Sequence, residues 1–317
     1  MEIERWSGDE ARAAIAAPDL DRRLGAAVGV AALIVELDDD PGEDLAVALT
    51  RLPVIAIGRG PHAAAGWDIA TTDPTEICSG IDAAPRAAVL AAQVLRGHTT
   101  RTPDAGLLVE SLAYATLQAG PEFHAWLATR GRRVRNDDHP RVKVHDDNGT
   151  AVITLDRPRL RNLLDARMRD ELVECLRALH HDGERPIRLT GAGPAFSAGG
   201  DPAEFGTVTD PVHAHLIRSS ANVAPWLLAL ADRTTAVVHG PCVGAGAELV
   251  AFCGHVIAAD NSRFRLPETR MGLLPGAGGT VSVPARIGRQ RTLEWLLTDR
   301  EIDAVTAHRW GLVDELV

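Results

Sequence analysis

Aromatic residues make up only 4% of the 317-residue sequence, and no apolar stretch is long. The longest apolar run, residues 25–35, falls short of the roughly 20 residues that a membrane-spanning helix needs. Proteins that bind single-stranded nucleic acid stack bases on aromatic side chains, for which this composition offers little material. We therefore expect neither a membrane helix nor a single-strand binding surface.

Basic residues are fewer than acidic ones. The chain has 33 Lys and Arg against 43 Asp and Glu, which gives a net charge of −10. A general nucleic-acid binder needs a cationic surface that displaces counterions from phosphates. The charge therefore argues against a nucleic-acid partner, although a local basic pocket for an anionic ligand remains compatible with it.

Cysteine is scarce and scattered. The four cysteines, Cys78, Cys175, Cys242 and Cys253, show no CxxC spacing, and the twelve histidines show no HExxH pattern. This distribution favours reduced thiols in a cytoplasmic protein and predicts no metal site. The charged beginning of the sequence, MEIERWSGDE, is not that of a signal peptide. We expect a soluble cytoplasmic protein.

The sequence divides at a polar, highly charged stretch, residues 130–149, which contains an Asn-Gly turn signal. This boundary separates a segment at 1–135 from a second one at 140–317. Before it, apolar patterns predict strands at 31–37 and 54–57 and helices at 85–96 and 107–130, the latter broken near 120–121. After it they predict strands at 150–155, 187–190, 235–239 and 256–259 and helices at 164–180 and 213–232. Strands that alternate with helices indicate an α/β fold with a largely parallel sheet.

Three glycine-rich turns follow the boundary, at 191–201, 239–249 and 266–280. Neither of the first two completes the GxGxxG dinucleotide fingerprint, and no phosphate-binding GxxxxGK[ST] loop is present. Glycine at a strand-to-helix turn lets a ligand approach backbone N–H groups closely. Two such turns could present N–H donors to one carbonyl oxygen. Glu248 and Glu268, on the second and third turns, could then act as an acid and a base.

Four ordered motifs make the residues from about 140 to 317 resemble the crotonase (enoyl-CoA hydratase/isomerase) superfamily. They are LDRPRLRN, GAGPAFSAGGDPAEF, VVHGPCVGAGAELVAFCGHVIAA and RFRLPETRMGLLPGAGGT, and the ending LLTDREIDAVTAHRWGLVDELV is similar to the family's as well. The resemblance implies a crotonase-like ββα spiral core.

The resemblance also implies roles for particular residues. Glu248 and Glu268 match the two catalytic acids of hydratases, and the N–H groups of Ala198 and Ala245 would form the oxyanion hole. The remaining positions expected to bind substrate are Arg159, near the CoA phosphates, and Ser197, Gly199, Gly200, Asp201, Gly244, Pro267 and Gly276.

The function implied is hydration of a 2,3-enoyl-CoA, with an acyl-CoA thioester as the partner and no cofactor beyond the coenzyme A of the substrate. The two acids favour hydration, but other reactions of the superfamily share the oxyanion hole. An isomerase, an acyl-CoA hydrolase, a C–C lyase or synthase and a non-catalytic acyl-CoA-binding subunit therefore stay open. The family's trimers and hexamers imply a homo-oligomer.

The first half is similar to a shortened, degenerate crotonase unit that ends in helices. ESLAYATLQAGPEFHAWLATRG, residues 110–131, resembles the helical tail that family members carry after the point matching Val317. We therefore expect the helices before residue 135 to dock on the core in place of such a tail.

Overall fold

Sheets of four, six and three strands organise the computed structural model, which describes residues 1–130 and 139–317. The four-stranded sheet lies in the first half of the chain, and its strands run parallel in the order β1-β2-β3-β4. These strands are β1 Glu2–Ser7, β2 Val30–Glu36, β3 Ile55–Arg59 and β4 Ile69–Thr71. The helices of this half are α1 Gly8–Ile15, α2 Leu20–Arg23, α3 Glu43–Leu49, α4 Thr75–Ala83, α5 Pro85–Arg96, α6 Pro103–Gln118 and α7 Pro121–Ala128.

The second half builds the other two sheets, with strand orders β13-β10-β8-β7-β6-β5 and β12-β11-β9. Its strands are β5 Val142–Asp147, β6 Thr150–Leu155, β7 Ile187–Gly191, β8 Thr234–Val238, β9 Pro241–Val243, β10 His255–Ala258, β11 Arg263–Arg265, β12 Ile302–Asp303 and β13 Glu315–Leu316. Its helices are α8 Ala166–His180, α9 Pro211–Ser220, α10 Ala224–Ala229, α11 Ala245–Val250, α12 Gly279–Ile287, α13 Arg289–Thr298 and α14 Ala304–Trp310. The predicted α/β class is confirmed.

The predicted boundary at 130–149 is too long at its C-terminal end. Val142–Asp147 is already a strand of the six-stranded sheet and pairs with Thr150–Leu155 in an antiparallel hairpin. Asn148 and Gly149 both have positive φ, 51° and 87°, so the Asn-Gly pair is the hairpin turn rather than part of a linker. Residues 131–138, where the remainder of the predicted boundary falls, lie outside the described residues.

The single helix predicted at 213–232 is two helices. α9 ends at Ser220, and α10 begins at Ala224, whose N–H is bonded to the side chain of Asn222 at 3.0 Å. The Asn222 side chain accepts from the N–H two residues later, a local turn that competes with helical hydrogen bonds and that the apolar periodicity alone does not reveal. The break matters because α9 forms part of a cavity wall.

The two halves pack against each other through one hydrophobic core. A single cluster of buried residues runs from β2 and α5 through the six-stranded sheet to α13 and α14. Helices α4 and α13 approach closely at Gly80, where a Cβ would lie 1.9 Å from the carbonyl oxygen of Leu297. A buried ion pair between Arg96 and Asp68, with Nη2 and Oδ2 at 2.6 Å, lies beside Arg289 of α13. The helices before residue 130 are thus part of the same packed body as the core.

Among the residues that the structure describes, no helix has the length and apolar character needed to cross a membrane.

Candidate active site

A cavity of about 630 Å³ lies where α6 and α9 meet the two glycine-rich turns of the core. Its wall contains ten of the residues expected to bind substrate or react, together with neighbours from α6 and α9. The predicted residues in the wall are Gly199, Gly200, Asp201, Gly244, Pro267 and Gly276, along with Ala198, Ala245, Glu248 and Glu268. The sequence therefore predicted residues that the fold does bring together.

The first glycine-rich turn corrects the predicted oxyanion donor. The N–H of Ala198 donates to the carbonyl oxygen of Arg161 at 2.8 Å, and the N–H of Gly199 donates to Ser197 Oγ at 3.1 Å. Neither is available to a ligand, so the assignment to Ala198 is wrong. The N–H of Gly200 has no acceptor among the described residues, and Gly200 lines the cavity. Gly200 is therefore the donor that this turn offers.

Ser197 stabilises the turn and does not line the cavity. The residue is fully buried, and its Oγ donates to the carbonyl oxygen of Asn162 at 2.8 Å while accepting from Gly199. Ser197 therefore holds the turn in shape, whereas the sequence placed it among the substrate contacts.

The second turn places Ala245 at the start of α11. Gly244 precedes it with φ of 50°, a conformation that favours glycine. The first N–H groups of a helix lack partners within the helix, and that of Ala245 has no acceptor among the described residues. The two turns touch, because a Cβ on Gly199 would lie 3.8 Å from the nitrogen of Ala245. The geometry thus offers two unused backbone donors, from Gly200 and Ala245, in one cavity wall.

Glu248 follows Ala245 by three residues along α11 and is 2% exposed. Its Oε2 accepts hydrogen bonds from the N–H groups of Ala277 at 2.7 Å and Gly279 at 2.8 Å. Burial raises the pKa of Glu248 to about 7, against the lowering effect of these backbone donors. A carboxyl with a pKa in this range can accept and release a proton near neutral pH.

Glu268 begins the short 3-10 turn after β11 and is also buried. Its Oε2 is enclosed and has no hydrogen-bond partner among the described residues. Its Oε1 lies where a Cβ on Gly244 would come within 2.5 Å, which explains the glycine at that position. Burial, followed by the charge of Glu248, raises the pKa of Glu268 well above its usual range. An unpaired polar oxygen in a cavity wall is costly unless a ligand or its proton partners it.

A third carboxylate, which the sequence analysis missed, comes from the first half of the chain. Glu110 of α6 is 2% exposed, and its oxygens accept from the N–H groups of Gly278 at 2.7 Å and Thr280 at 2.8 Å. Thr280 Oγ1 donates to it as well, at 2.7 Å. Burial, and then the charge of Glu248, raises the pKa of Glu110 to about 8. A lone acid in an otherwise apolar helical stretch was the signal available in the sequence.

Glu110 and Glu248 share the backbone of one loop in alternation. Glu248 takes the N–H groups of residues 277 and 279, and Glu110 takes those of 278 and 280. Gly278, with φ of 104°, gives the loop the left-handed conformation that brings successive N–H groups to both carboxylates. The position of Glu248 therefore depends on a loop that the first half of the chain holds from the other side.

Two predicted substrate contacts have other surroundings. Asp201 lines the cavity, but its Oδ2 accepts from Nη1 of the buried Arg157 at 3.2 Å, and its Oδ1 accepts from the N–H of Ala203 at 3.0 Å. Arg159 is exposed on a 3-10 turn outside the cavity wall, so a role near the CoA phosphates stays a prediction for a part of the ligand beyond the cavity.

Within residues 1–130 and 139–317, no group of three or more His, Cys, Asp or Glu side chains is arranged to hold a metal ion.

Comparisons with known proteins point to one family. A family model described as enoyl-CoA hydratase/isomerase matches residues 145–317. A Mycobacterium bovis protein that bears the name probable enoyl-CoA hydratase is 35% identical over 181 residues, which cover 56% of this chain and 68% of the relative. The 1,2-epoxyphenylacetyl-CoA isomerase of Escherichia coli is 32% identical over 188 residues, or 56% of this chain and 69% of that protein.

One similar solved structure carries a ligand. A Thermobifida fusca protein described as an enoyl-CoA hydratase, in complex with acetoacetyl-CoA, aligns with a TM-score of 0.51 and 31% identity. The alignment covers 56% of this chain and 74% of that one.

Proposed function

Because the chain belongs to the enoyl-CoA hydratase/isomerase family, we propose that it adds water across the 2,3 double bond of a trans-2-enoyl-CoA. The observation that carries this proposal is a pair of buried acids, Glu248 and Glu268, beside two unused backbone donors in one cavity. A similar protein solved with acetoacetyl-CoA supports a CoA thioester as the ligand.

The backbone donors would act on the thioester oxygen. When the water oxygen adds to Cβ of the enoyl group, the electrons of the double bond move through Cα and the carbonyl carbon to the thioester oxygen. The N–H groups of Gly200 and Ala245, both free of acceptors among the described residues, would stabilise the enolate. Removing one such donor in other enzymes costs about 2.7–4 kcal/mol of transition-state stabilisation. Backbone donors need no reorganisation during the reaction, since the two turns fix them.

The two acids would divide the proton transfers. The carboxylate of Glu248, held by two backbone N–H groups, takes a proton from water while the water oxygen bonds to Cβ. Protonated Glu268, whose Oε2 has no described partner, gives its proton to Cα. The product gains one hydroxyl at Cβ and one hydrogen at Cα. A proton passing from Glu248 to Glu268 restores the starting state, and the raised pKa values of both acids favour keeping one proton in the pair.

Double-bond isomerisation is a second candidate. It needs one acid that moves a proton between Cα and Cγ, and the free oxygen of Glu268 is suited to that task. The Escherichia coli relative, which is named as an isomerase, is 32% identical to this chain, close to the 35% of the relative named as a hydratase. The two reactions differ in their products, because hydration adds the mass of one water and isomerisation adds none.

Crotonyl-CoA and the purified full chain provide the test. We expect loss of the enoyl-thioester absorbance with formation of 3-hydroxybutyryl-CoA by mass spectrometry. Glu248→Gln should lower kcat by about 100-fold or more, the scale of general acid–base catalysis. The matched control is Glu122→Gln, since Glu122 also accepts two backbone N–H groups, those of Arg86 and Ala87, but lies outside the cavity wall.

Other outcomes would contradict hydration. Turnover of a 3-enoyl-CoA to crotonyl-CoA without hydration indicates an isomerase, and release of free CoA thiol indicates a hydrolase. A Glu248→Gln variant that retains wild-type hydration would remove Glu248 from the mechanism.

A further inference from the structure

Arg218 of α9 lies in the cavity wall, and its partners among the described residues are all neutral. Its Nη2 donates to Oε1 of Gln118 at 2.8 Å, and its Nη1 donates to the carbonyl oxygen of Ala214 at 3.2 Å. Its guanidinium carbon lies 4.2 Å from the centroid of the Tyr114 ring. All of these partners are uncharged, so the cation remains uncompensated by its direct neighbours.

No carboxylate of the described residues lies within ion-pair distance of Arg218. The other arginine of the same wall, Arg169, differs in this respect, because it pairs with Asp170 at 2.7 Å. Glu110 lies on the neighbouring helix α6, but its oxygens accept from Gly278 and Thr280. A half-buried guanidinium without a counterion is unfavourable, and an anionic ligand group would relieve that cost.

Tyr114 connects Arg218 to the part of the cavity wall that holds Glu248. The Tyr114 ring contacts both the guanidinium of Arg218 and Gly276, where an added Cβ would meet the ring at 2.5 Å. Gly276 directly precedes the loop whose N–H groups hold Glu248. One aromatic ring thus contacts both Arg218 and the backbone next to the loop that holds Glu248. The Tyr114 hydroxyl makes no hydrogen bond to any described residue and is a further unused donor in this wall, besides the N–H groups of Gly200 and Ala245.

We propose that Arg218 binds a carboxylate at the far end of the acyl chain, which makes the preferred ligands CoA monothioesters of dicarboxylic acids. This inference rests on the proposed function in that a CoA thioester occupies the cavity. Guanidinium and carboxylate match in charge and planar shape, and their hydrogen bonds are stronger than those between neutral groups. Gln118 and Tyr114 of α6 orient the guanidinium, so residues of the first half of the chain contribute to substrate selectivity.

Binding of two unreactive ligands tests this directly. Glutaryl-CoA and pentanoyl-CoA have acyl chains of equal length, and only the first has a distal carboxylate. Calorimetry with the wild-type protein should give a Kd for glutaryl-CoA that is lower by about tenfold or more. An equal or higher Kd for glutaryl-CoA would overturn the proposal.

Variants separate the possible roles of Arg218. Arg218→Met should reduce the ratio of the two Kd values to about one, since the cation is gone. Gln118→Glu keeps the contact between α6 and α9 but supplies a carboxylate that neutralises the guanidinium, so it should abolish the preference without lowering Tm. Arg188→Met, which removes an arginine paired with Asp147 outside the cavity wall, is the charge-matched control and should keep the ratio.

The anionic group could also belong to CoA itself, whose phosphates share this chemistry. In that case Arg218→Met would weaken both ligands equally, which contradicts the proposal. If Arg218→Met fails to fold, the ratio measured for Gln118→Glu decides, and an unchanged ratio there overturns the proposal. A parallel hydration assay with glutaconyl-CoA keeps the two hypotheses apart. Selective binding of glutaryl-CoA without hydration would refute the proposed function and leave this inference standing.

Discussion

Replacing Glu110 with glutamine tests whether the first half of the chain positions Glu248, the proposed catalytic acid. Glu110 accepts three hydrogen bonds, from the N–H groups of Gly278 and Thr280 and from Thr280 Oγ1. A glutamine amide keeps one acceptor oxygen and turns its N–H₂ donors toward at least one backbone N–H. Leaving a buried N–H without an acceptor costs about 1–3 kcal/mol, and the opposed donors add to it. We expect the free energy of unfolding to fall by about 2–4 kcal/mol.

The catalytic effect follows from the shared loop. Displacement of residues 278 and 280 also moves the N–H groups of 277 and 279, which hold Glu248. We expect Glu110→Gln to lower kcat by about tenfold with a smaller change in KM, because misplacing a reacting group slows the chemical step. The pH profile of kcat should shift as well, since the acids at this loop interact electrostatically.

Denaturant unfolding, steady-state hydration of crotonyl-CoA and the pH profile of kcat give the three readouts. Glu122→Gln is the matched control, which should lose stability while keeping kcat and its pH profile, because Glu122 holds the start of α5 rather than the loop at Glu248. The reasoning is refuted if Glu110→Gln matches the wild-type protein in stability and kcat. It is also refuted if Glu110→Gln loses stability without any change in kcat or its pH profile.

Two further predictions concern the packing of the halves and the buried acids. Asp68→Ala should lower the free energy of unfolding by about 3–5 kcal/mol, because it leaves the largely buried Arg96 without its carboxylate partner. Denaturant unfolding measures this, and a loss below about 1 kcal/mol would show that the ion pair is dispensable. The pKa of Glu110 is raised from 4.5 to about 8 and that of Glu248 from 4.5 to about 7. Between the unfolded value of 4.5 and these folded values, the folded state therefore binds more protons than the unfolded state. Stability should therefore fall as pH rises from about 5 to about 8, a Tm series should show this, and the slope should flatten in a Glu110→Gln, Glu248→Gln double variant.

Local patterns in the sequence predicted the elements whose signals are local. The buried run in β2, the helix at Pro85–Arg96 and the strand at Thr150–Leu155 follow from short apolar runs and helical periodicity. The resemblance to hydratases singled out Glu248 and Glu268 as the two acids, but their common place in one cavity wall is seen only in the structure.

Contacts between segments that are distant in the chain could not be predicted from the sequence. The N–H of Ala198 is withheld from the cavity because it donates to the carbonyl oxygen of Arg161, a residue distant in the sequence. Local sequence around the turn therefore does not show that Gly200 is the donor. Glu110 meets the loop at 278–280 only after α6 docks, a contact across 168 residues. Arg218 shows its uncompensated charge only once its surroundings are known.

Because Glu110 and Glu248 hold the amides of residues 277–280 alternately, the proposed activity depends on both halves of the chain. Before α6 docks, the N–H groups of residues 278 and 280 lack their acceptor, Glu110. The loop that positions Glu248 is then not fixed. Exchange of segments with relatives faces the same rule: a foreign first half would have to bring an acid at the place of Glu110, or the loop would have to change with it.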